Sequence, residues 1–176
     1  THPDLAGKLL LGRNVVSANS DISDVYGHGT GVAGAAAATT NNSVGVSGVG
    51  FNARILPVKI TNDTSTGSAY YSDMAAGIVW AADNGADIAN LSYQSVAGSS
   101  TVNSAAQYLN GKGGILFVAA GNTGANQTYV NYPSIIAVSA TDSYDNRAGW
   151  SDYGDFIDVA APGVSILTTV PGGGYG

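Results

Sequence analysis

The chain has no cysteine and no glutamate; all 12 of its acidic residues are aspartates. Without cysteine there is no disulfide and no thiolate metal site, and the redox compartment leaves no trace in the sequence. Basic residues are also scarce. Six lysines and arginines against 12 aspartates give a net charge of −6, and they form no basic cluster. That balance argues against a nucleic-acid or anionic-membrane partner. No apolar run reaches the length of a transmembrane helix, so no membrane partner is expected. No linker and no internal repeat divides the chain. A nucleotide-binding doubly wound domain is a rival class, and it wants a glycine-rich phosphate loop between its first strand and helix. No G-x-G-x-x-G or P-loop pattern is read in the chain.

What is there is small and apolar. Hydrophobic residues make up 44% of the 176, charged residues 10%, and 25 are glycine, about twice the usual share of roughly 7%. That composition predicts one globular domain with tight turns and close backbone packing.

Tyr26-Gly27-His28-Gly29-Thr30-Gly31-Val32-Ala33-Gly34, followed by four alanines, stands out. Glycines on both sides keep the backbone around the imidazole bare, so a substrate chain can approach it. Thr30 to Ala38 reads as a helix with little side-chain bulk, suited to burial. His28 then stands at the helix start, where the macrodipole disfavours a cation and proton acceptance near pH 7 is favoured. The plainer reading is a histidine that closes a glycine-rich turn.

Around this motif the pattern is strand, helix, strand, helix, strand. Lys8 to Val16 reads as a short strand or extended loop, and Ser17 to Asp24 as a polar loop in which Asp21 and Asp24 are solvated. Ala53 to Ile60 reads as a buried-type strand, with Pro57 against a central position. Thr61 to Gly67 reads as a loop. Tyr71 to Asn84 has helical spacing with Met74, Ile78 and Trp80-Ala81 near one face, and Asn84-Gly85 stops it. Asp87 to Ser92 is a strand, Val102 to Asn110 a helix, and Ile115 to Ala120 an apolar strand buried on both faces. Ser134 to Ala140 and Ile157 to Ala160 follow as strands. The expected fold is α/β, a largely parallel sheet with helices on both faces.

Taken together the motifs resemble the subtilisin-like serine proteases (subtilases). His28-Gly29-Thr30-Gly31-Val32-Ala33-Gly34 resembles their histidine motif, Ala119-Ala120-Gly121-Asn122 their oxyanion-hole segment, and Asp158-Val159-Ala160-Ala161-Pro162-Gly163 the stretch before their nucleophile. His2-Pro3-Asp4-Leu5 resembles the segment that follows their catalytic aspartate. The Asp-Ser/Thr-Gly and Gly-Thr-Ser-Met-Ala motifs that carry the other two triad members do not occur in the chain. The resemblance therefore implies a partial peptidase domain over 1–176, incomplete at both ends, from a serine endopeptidase that hydrolyses peptide bonds. In it His28 is the general base and Asn122 an oxyanion donor, and the 176 residues alone are inactive. A peptide-binding pseudoprotease is the alternative.

By the same resemblance Gly67, Ser68 and Ala69 pair with the substrate backbone. Ser92, Tyr93 and Gln94, with Ala119, Ala120 and Gly121, form substrate-binding walls. Gln94 stands where the family usually has glycine, which narrows that wall or makes it more polar. Thr40 to Val46 reads on composition as an Asn/Ser turn or as a hard-cation loop. The resemblance implies calcium, with the Asp4 carboxylate, the Asn42 side chain and the carbonyls of Thr40, Val44 and Val46 as ligands. It also implies a polypeptide substrate, secretion to the extracellular space and a monomeric parent.

Overall fold

The computed structural model describes residues 2–62 and 66–176; residues 63–65 of the expected Thr61 to Gly67 loop lie outside the described set. The chain forms two compact units, one comprising the residues up to Tyr70 together with Ile166–Gly176, the other Tyr71–Ser165.

The first unit opens with a 3-10 turn, Pro3–Leu5, and a two-residue strand β1 (Arg13–Asn14). Helix α1 covers His28–Ala37, beginning two residues before the expected Thr30. Strand β2 is only Val58–Lys59, parallel to β1. The expected strand over 53–60 is thus mostly extended chain of intermediate exposure, tied to residues 8–15 by alternating backbone bonds. The Arg13 amide donates to the Pro57 carbonyl at 3.0 Å. Pro57 has no amide to return the bond, so the ladder stays short.

The second unit carries the main sheet. Helix α2 (Tyr71–Asp83) buries Met74, Gly77, Ile78, Ala81 and Ala82 along one stripe, the three-and-four spacing of a core-facing helix. It ends where Gly85 takes φ +78°, and the Ala86 amide returns to the Ala81 carbonyl at 3.0 Å. Strand β3 (Ile88–Leu91), helix α3 (Ser100–Gly111), strand β4 (Ile115–Ala119), strand β5 (Ile135–Thr141) and strand β6 (Val159–Pro162) follow. Ser99 caps α3 by accepting from the Val102 amide. The order is β3-β4-β5-β6, every pair parallel, with Leu91 beside Val118 and Ala119 beside Val138. The fold is α/β, a parallel sheet flanked by helices.

Two expectations about strands need correction. β4 is not buried on both faces: Leu116 and Val118 are 0% and 1% exposed, whereas Ile115 is 45% exposed. A continuous apolar run hides the period of two that the pleat imposes. β6 begins at Val159, two residues later than expected, because the Asp158 carboxylate turns back to accept the Ala137 amide at 2.8 Å.

The chain then returns to the first unit as an antiparallel pair, β7 (Thr169–Val170) and β8 (Gly174–Tyr175). β7 lies against α1 so closely that the hydroxyls of Thr168 and Thr169 donate to the carbonyls of Gly31 and Thr30 at 2.6 and 2.8 Å. Helix α1 is less buried than its composition suggested, with Gly34 and Ala37 its fully buried positions.

A methyl group at Gly34 would stand 2.2 Å from the Thr169 hydroxyl oxygen. Gly34→Ala should therefore destabilise the fold by about 1–3 kcal/mol through overpacking. Gly111→Ala, at an α3 position with open space around it, should be neutral or stabilising by up to about 1 kcal/mol. Denaturant unfolding of the two variants compares them directly.

Candidate active site

His28 is the first residue of α1, and Gly27 before it takes φ +92°. That backbone is closed to most side chains, which explains the glycine. The helix start is held by Asp24. One of its carboxylate oxygens accepts the Gly27 amide at 2.7 Å, and the other accepts the Thr30 amide and hydroxyl, each at 2.7 Å. Asp24 is therefore a helix cap and not a loosely solvated loop aspartate, with its negative charge at the positive end of the dipole. Partial burial pulls its carboxyl up, but the Thr30 and Gly27 bonds and the nearby His28 outweigh this and hold it below the ordinary value. Its oxygens are committed to the backbone, so it is not the acid that orients His28. The imidazole is exposed and makes no hydrogen bond among the described residues. The Tyr26 ring covers Gly67, whose Cβ would meet it at 2.9 Å, so the Gly67-Ser68-Ala69 segment adjoins the histidine turn. Gly67 itself has φ +62°, so its backbone is not extended. Ser68 and Ala69, with Asn62, Thr66 and Tyr70, line an open concavity of about 260 Å³.

Gly29-Thr30-Gly31-Val32-Ala33-Gly34 also spells G-x-G-x-x-G, contrary to the expectation that the pattern is missing. Here it opens a helix with no strand leading directly into it. Gly31 and Gly34 serve the close approach of Thr168 and Thr169.

In the second unit Asn122 follows β4, three residues beyond its end, with Ala120 and Gly121 buried between them. Because β3 and β4 are parallel neighbours, their carboxyl ends emerge on the same edge of the sheet, where ligands collect in such folds. Ser92, Tyr93 and Gln94 therefore leave the sheet at the same edge as Ala119, Ala120 and Gly121. The Asn90 amide donates to the Ser92 hydroxyl at 2.9 Å. Gln94 is exposed. Ser95 next to it takes φ +62° and is pinned by two tyrosines, Tyr71 donating to its carbonyl at 3.0 Å and Tyr129 bonding its hydroxyl at 3.2 Å. Asn122 is exposed, and its side chain has no partner among the described residues.

Sequence reading missed Asp152. It is 1% exposed and is bonded by the segment that follows Asn122. Nothing local in the sequence marks it, because its partners lie 25 to 29 residues earlier.

Asp4, Asn42 and Val46 come together. The Asp4 carboxylate is 0% exposed. It accepts the Asn42 amide at 2.7 Å, the Val46 amide at 3.0 Å and the Tyr175 hydroxyl at 3.4 Å. Burial pulls its carboxyl up, and these bonds together with His2 bring it below the ordinary value. His2 is a buried turn residue whose ring accepts the Asp4 amide and bonds the Gly174 carbonyl. No donor among the described residues reaches the carbonyls of Thr40, Val44 or Val46. No group of three histidine or acidic side chains able to hold a metal occurs among them. One buried carboxylate plus neutral oxygens on a turn is a hard-cation donor set, so the residues fit calcium. Asn42 now offers Asp4 its amide nitrogen, and ligation requires it to present its oxygen.

The subtilase family model matches residues 1–175. The chain belongs to the subtilase family. It is 44% identical over 177 residues to the thermophilic serine proteinase of Bacillus sp. (strain AK1), a match that covers 99% of this chain and 44% of that protein. It is 42% identical to thermitase of Thermoactinomyces vulgaris, covering 99% and 62%. Among solved structures sphericase matches with a TM-score of 0.84 at 33% identity, covering 100% of this chain and 66% of that one. A cold-adapted subtilisin-like serine proteinase matches at 0.83 and 30%, covering 63% of its chain. This subtilase chain thus spans about half to three-fifths of the curated relatives it matches.

If Asp24 caps α1 as its bonds indicate, Asp24→Ala should lower stability near pH 7 by about 1 kcal/mol. The folded-state pKa lies below the unfolded value, so the difference is present above the ordinary aspartate range and vanishes as pH falls through the folded value. Unfolding curves of both proteins from pH 7 downward would show the convergence.

Proposed function

We propose that these residues are part of the peptidase domain of a serine endopeptidase that hydrolyses peptide bonds in polypeptides. The observation that carries this reading is His28, at the first turn of α1, exposed and with a ring that makes no hydrogen bond among the described residues. A general base must be free to take a proton. His28 takes the proton of an attacking serine and returns it to the leaving amine. The serine and the aspartate that orients His28 are assigned to sequence outside these residues. Asn122 donates its unengaged amide N–H to the oxyanion as the carbonyl carbon becomes tetrahedral. Ser92 to Gln94 and Ala119 to Gly121 flank the substrate side chain, and Gly67 to Ala69 its backbone. The two units act as one domain in this reading.

Calcium, when bound, supplies a counter-charge to Asp4 and ties the 40–46 loop to the first turn. Asp4, the Asn42 oxygen and the carbonyls of Thr40, Val44 and Val46 would hold it. We further propose a secreted, monomeric whole protein. No described helix is long and apolar enough to cross a membrane.

In the whole protein, His28→Ala should nearly abolish hydrolysis of an unfolded protein substrate while the fold is kept. Asn122→Ala should lower kcat by about 10²–10³-fold with little change in KM, a magnitude carried over from the oxyanion asparagine of a subtilisin. Steady-state kinetics test both. A whole protein that binds peptides, turns none over and takes up no serine-directed phosphonate label is instead a peptide-binding pseudoprotease.

Calcium at about 100 times its Kd should stabilise the whole protein by about 2.7 kcal/mol. Asn42→Ala should lose most of that gain. Melting curves with calcium and with chelator provide the measurement; an equal response from both proteins puts the stabilising ion elsewhere.

A further inference from the structure

We propose that Asp152 is a positioning residue whose buried carboxylate fixes the backbone on both sides of Asn122 and so aims the Asn122 amide. This rests on the assignment of Asn122 as the oxyanion donor.

Asp152 lies between β5 and β6 and is 1% exposed. One carboxylate oxygen accepts the Thr123 amide at 2.8 Å, the Thr123 hydroxyl at 2.6 Å and the Ala125 amide at 3.2 Å. The other accepts the Gln127 side-chain amide at 3.1 Å. Its own backbone N–H donates to the Gly121 carbonyl at 2.9 Å. Every one of these bonds ends on residues 121–127. Gly121 and Thr123, the two neighbours of Asn122, are both fastened to this one residue, while the Asn122 side chain has no partner among the described residues.

The fit is close. Gly121 has φ +118°, and a Cβ there would stand 2.3 Å from the second carboxylate oxygen of Asp152, so the bare face of the glycine is what lets the carboxylate in. Asp152 in turn is carried on a braced segment. The Ser151 hydroxyl accepts the Ala140 amide of β5 at 3.0 Å. The Arg147 guanidinium donates to the carbonyls of Ser151 and Ala148 and lies 4.5 Å from the Tyr153 ring centre. The position of Asn122 is thereby referred to the sheet through β5 as well as through β4.

An ionised carboxylate out of water is costly unless its lone pairs are met, and bonds to it are roughly twice as strong as neutral ones. Here burial pulls the carboxyl up, and the Thr123, Ala125 and Gln127 donors outweigh it. The anion persists and keeps four donors on one carboxylate, three of them on a single oxygen. A donor displaced by about 1 Å from its working position can lose on the order of 10²-fold in rate. That sets the scale of what the clamp protects.

The test is a set of cycles in the whole protein, measuring kcat and KM on a small peptide ester. Asp152→Ala should lower kcat by about 10–100-fold with KM changed by less than about twofold. Thr123→Val, which removes the hydroxyl's bonds to Asp152 and Gln127 and keeps the backbone amide, should lower kcat by about 3–10-fold. Asp152→Asn retains an oxygen for Thr123 and Ala125 and should recover most of the loss. In an Asn122→Ala background neither Asp152→Ala nor Thr123→Val should reduce kcat further, because the amide they aim is gone. Equal fold-losses in both backgrounds, or a lowered Tm with unchanged kcat, overturn the inference and leave Asp152 a structural staple. If Asp152→Ala does not fold, the Thr123→Val cycle decides alone. An Asn122→Ala protein with unchanged kcat removes Asn122 from the mechanism, and this inference falls with it. A large Asn122→Ala effect with additive Asp152 losses overturns only this inference.

Discussion

A carboxylate taken out of water has to be met by donors, and this chain buries two, Asp4 and Asp152, with neither in an ion pair among the described residues. Each solves the problem by drawing in backbone and side-chain amides of a loop distant in sequence: residues 42–46 for Asp4, residues 123–127 for Asp152. In both places the loop has little regular structure, and the anion supplies a fixed centre around which it is built. Asp24 repeats the device at the surface, where its bonds to Gly27 and Thr30 define the start of the helix that carries His28. The chemistry-bearing loops are thus organised by aspartate oxygens, in a chain that has no glutamate and few cations to offer them instead.

Glycine is the other half of that arrangement. The residues that let these contacts close are those at which a Cβ would collide: Gly121 against Asp152 and Gly34 against Thr169. Gly34 belongs to a G-x-G-x-x-G spelling that in another setting holds a phosphate. Here the glycines bring two backbones together instead, a reminder that the pattern reports close approach and not the identity of what approaches.

The parallel sheet was legible because helix and strand alternate at regular spacing and because Gly85 and Ser99 mark helix ends by local chemistry. The family was legible from short motifs whose residues are fixed by the reaction. What the sequence concealed depends on contacts between distant segments. The apolar run at Ile115 to Ala119 does not reveal which of its faces is covered, since the pleat, not the composition, decides that. The start of β6 is set by the Asp158 side chain bonding Ala137, 21 residues earlier. Asp152 was illegible for the same reason: its four acceptor bonds all reach at least 25 residues back. His28 and Asn122, by contrast, stand out as candidates in the sequence because glycines flank one and precede the other.

Stability alone gives no reason for a charge at Asp152. Replacing a buried polar group and its partners by apolar ones of the same shape is often close to neutral, and a buried ion carries a desolvation penalty that its bonds only offset. An apolar residue, however, packs without direction. The carboxylate imposes one, because the amides of Thr123 and Ala125 and the hydroxyl of Thr123 must all point at a single oxygen. That leaves the backbone on the carboxyl side of Asn122 little freedom to rotate, while the Gly121 carbonyl bond restrains the amino side. A loop that only had to avoid water would not need such convergence. A loop that presents an amide to a charge lasting only as long as a transition state does, because stabilisation of that kind depends on donors already in place when the charge develops.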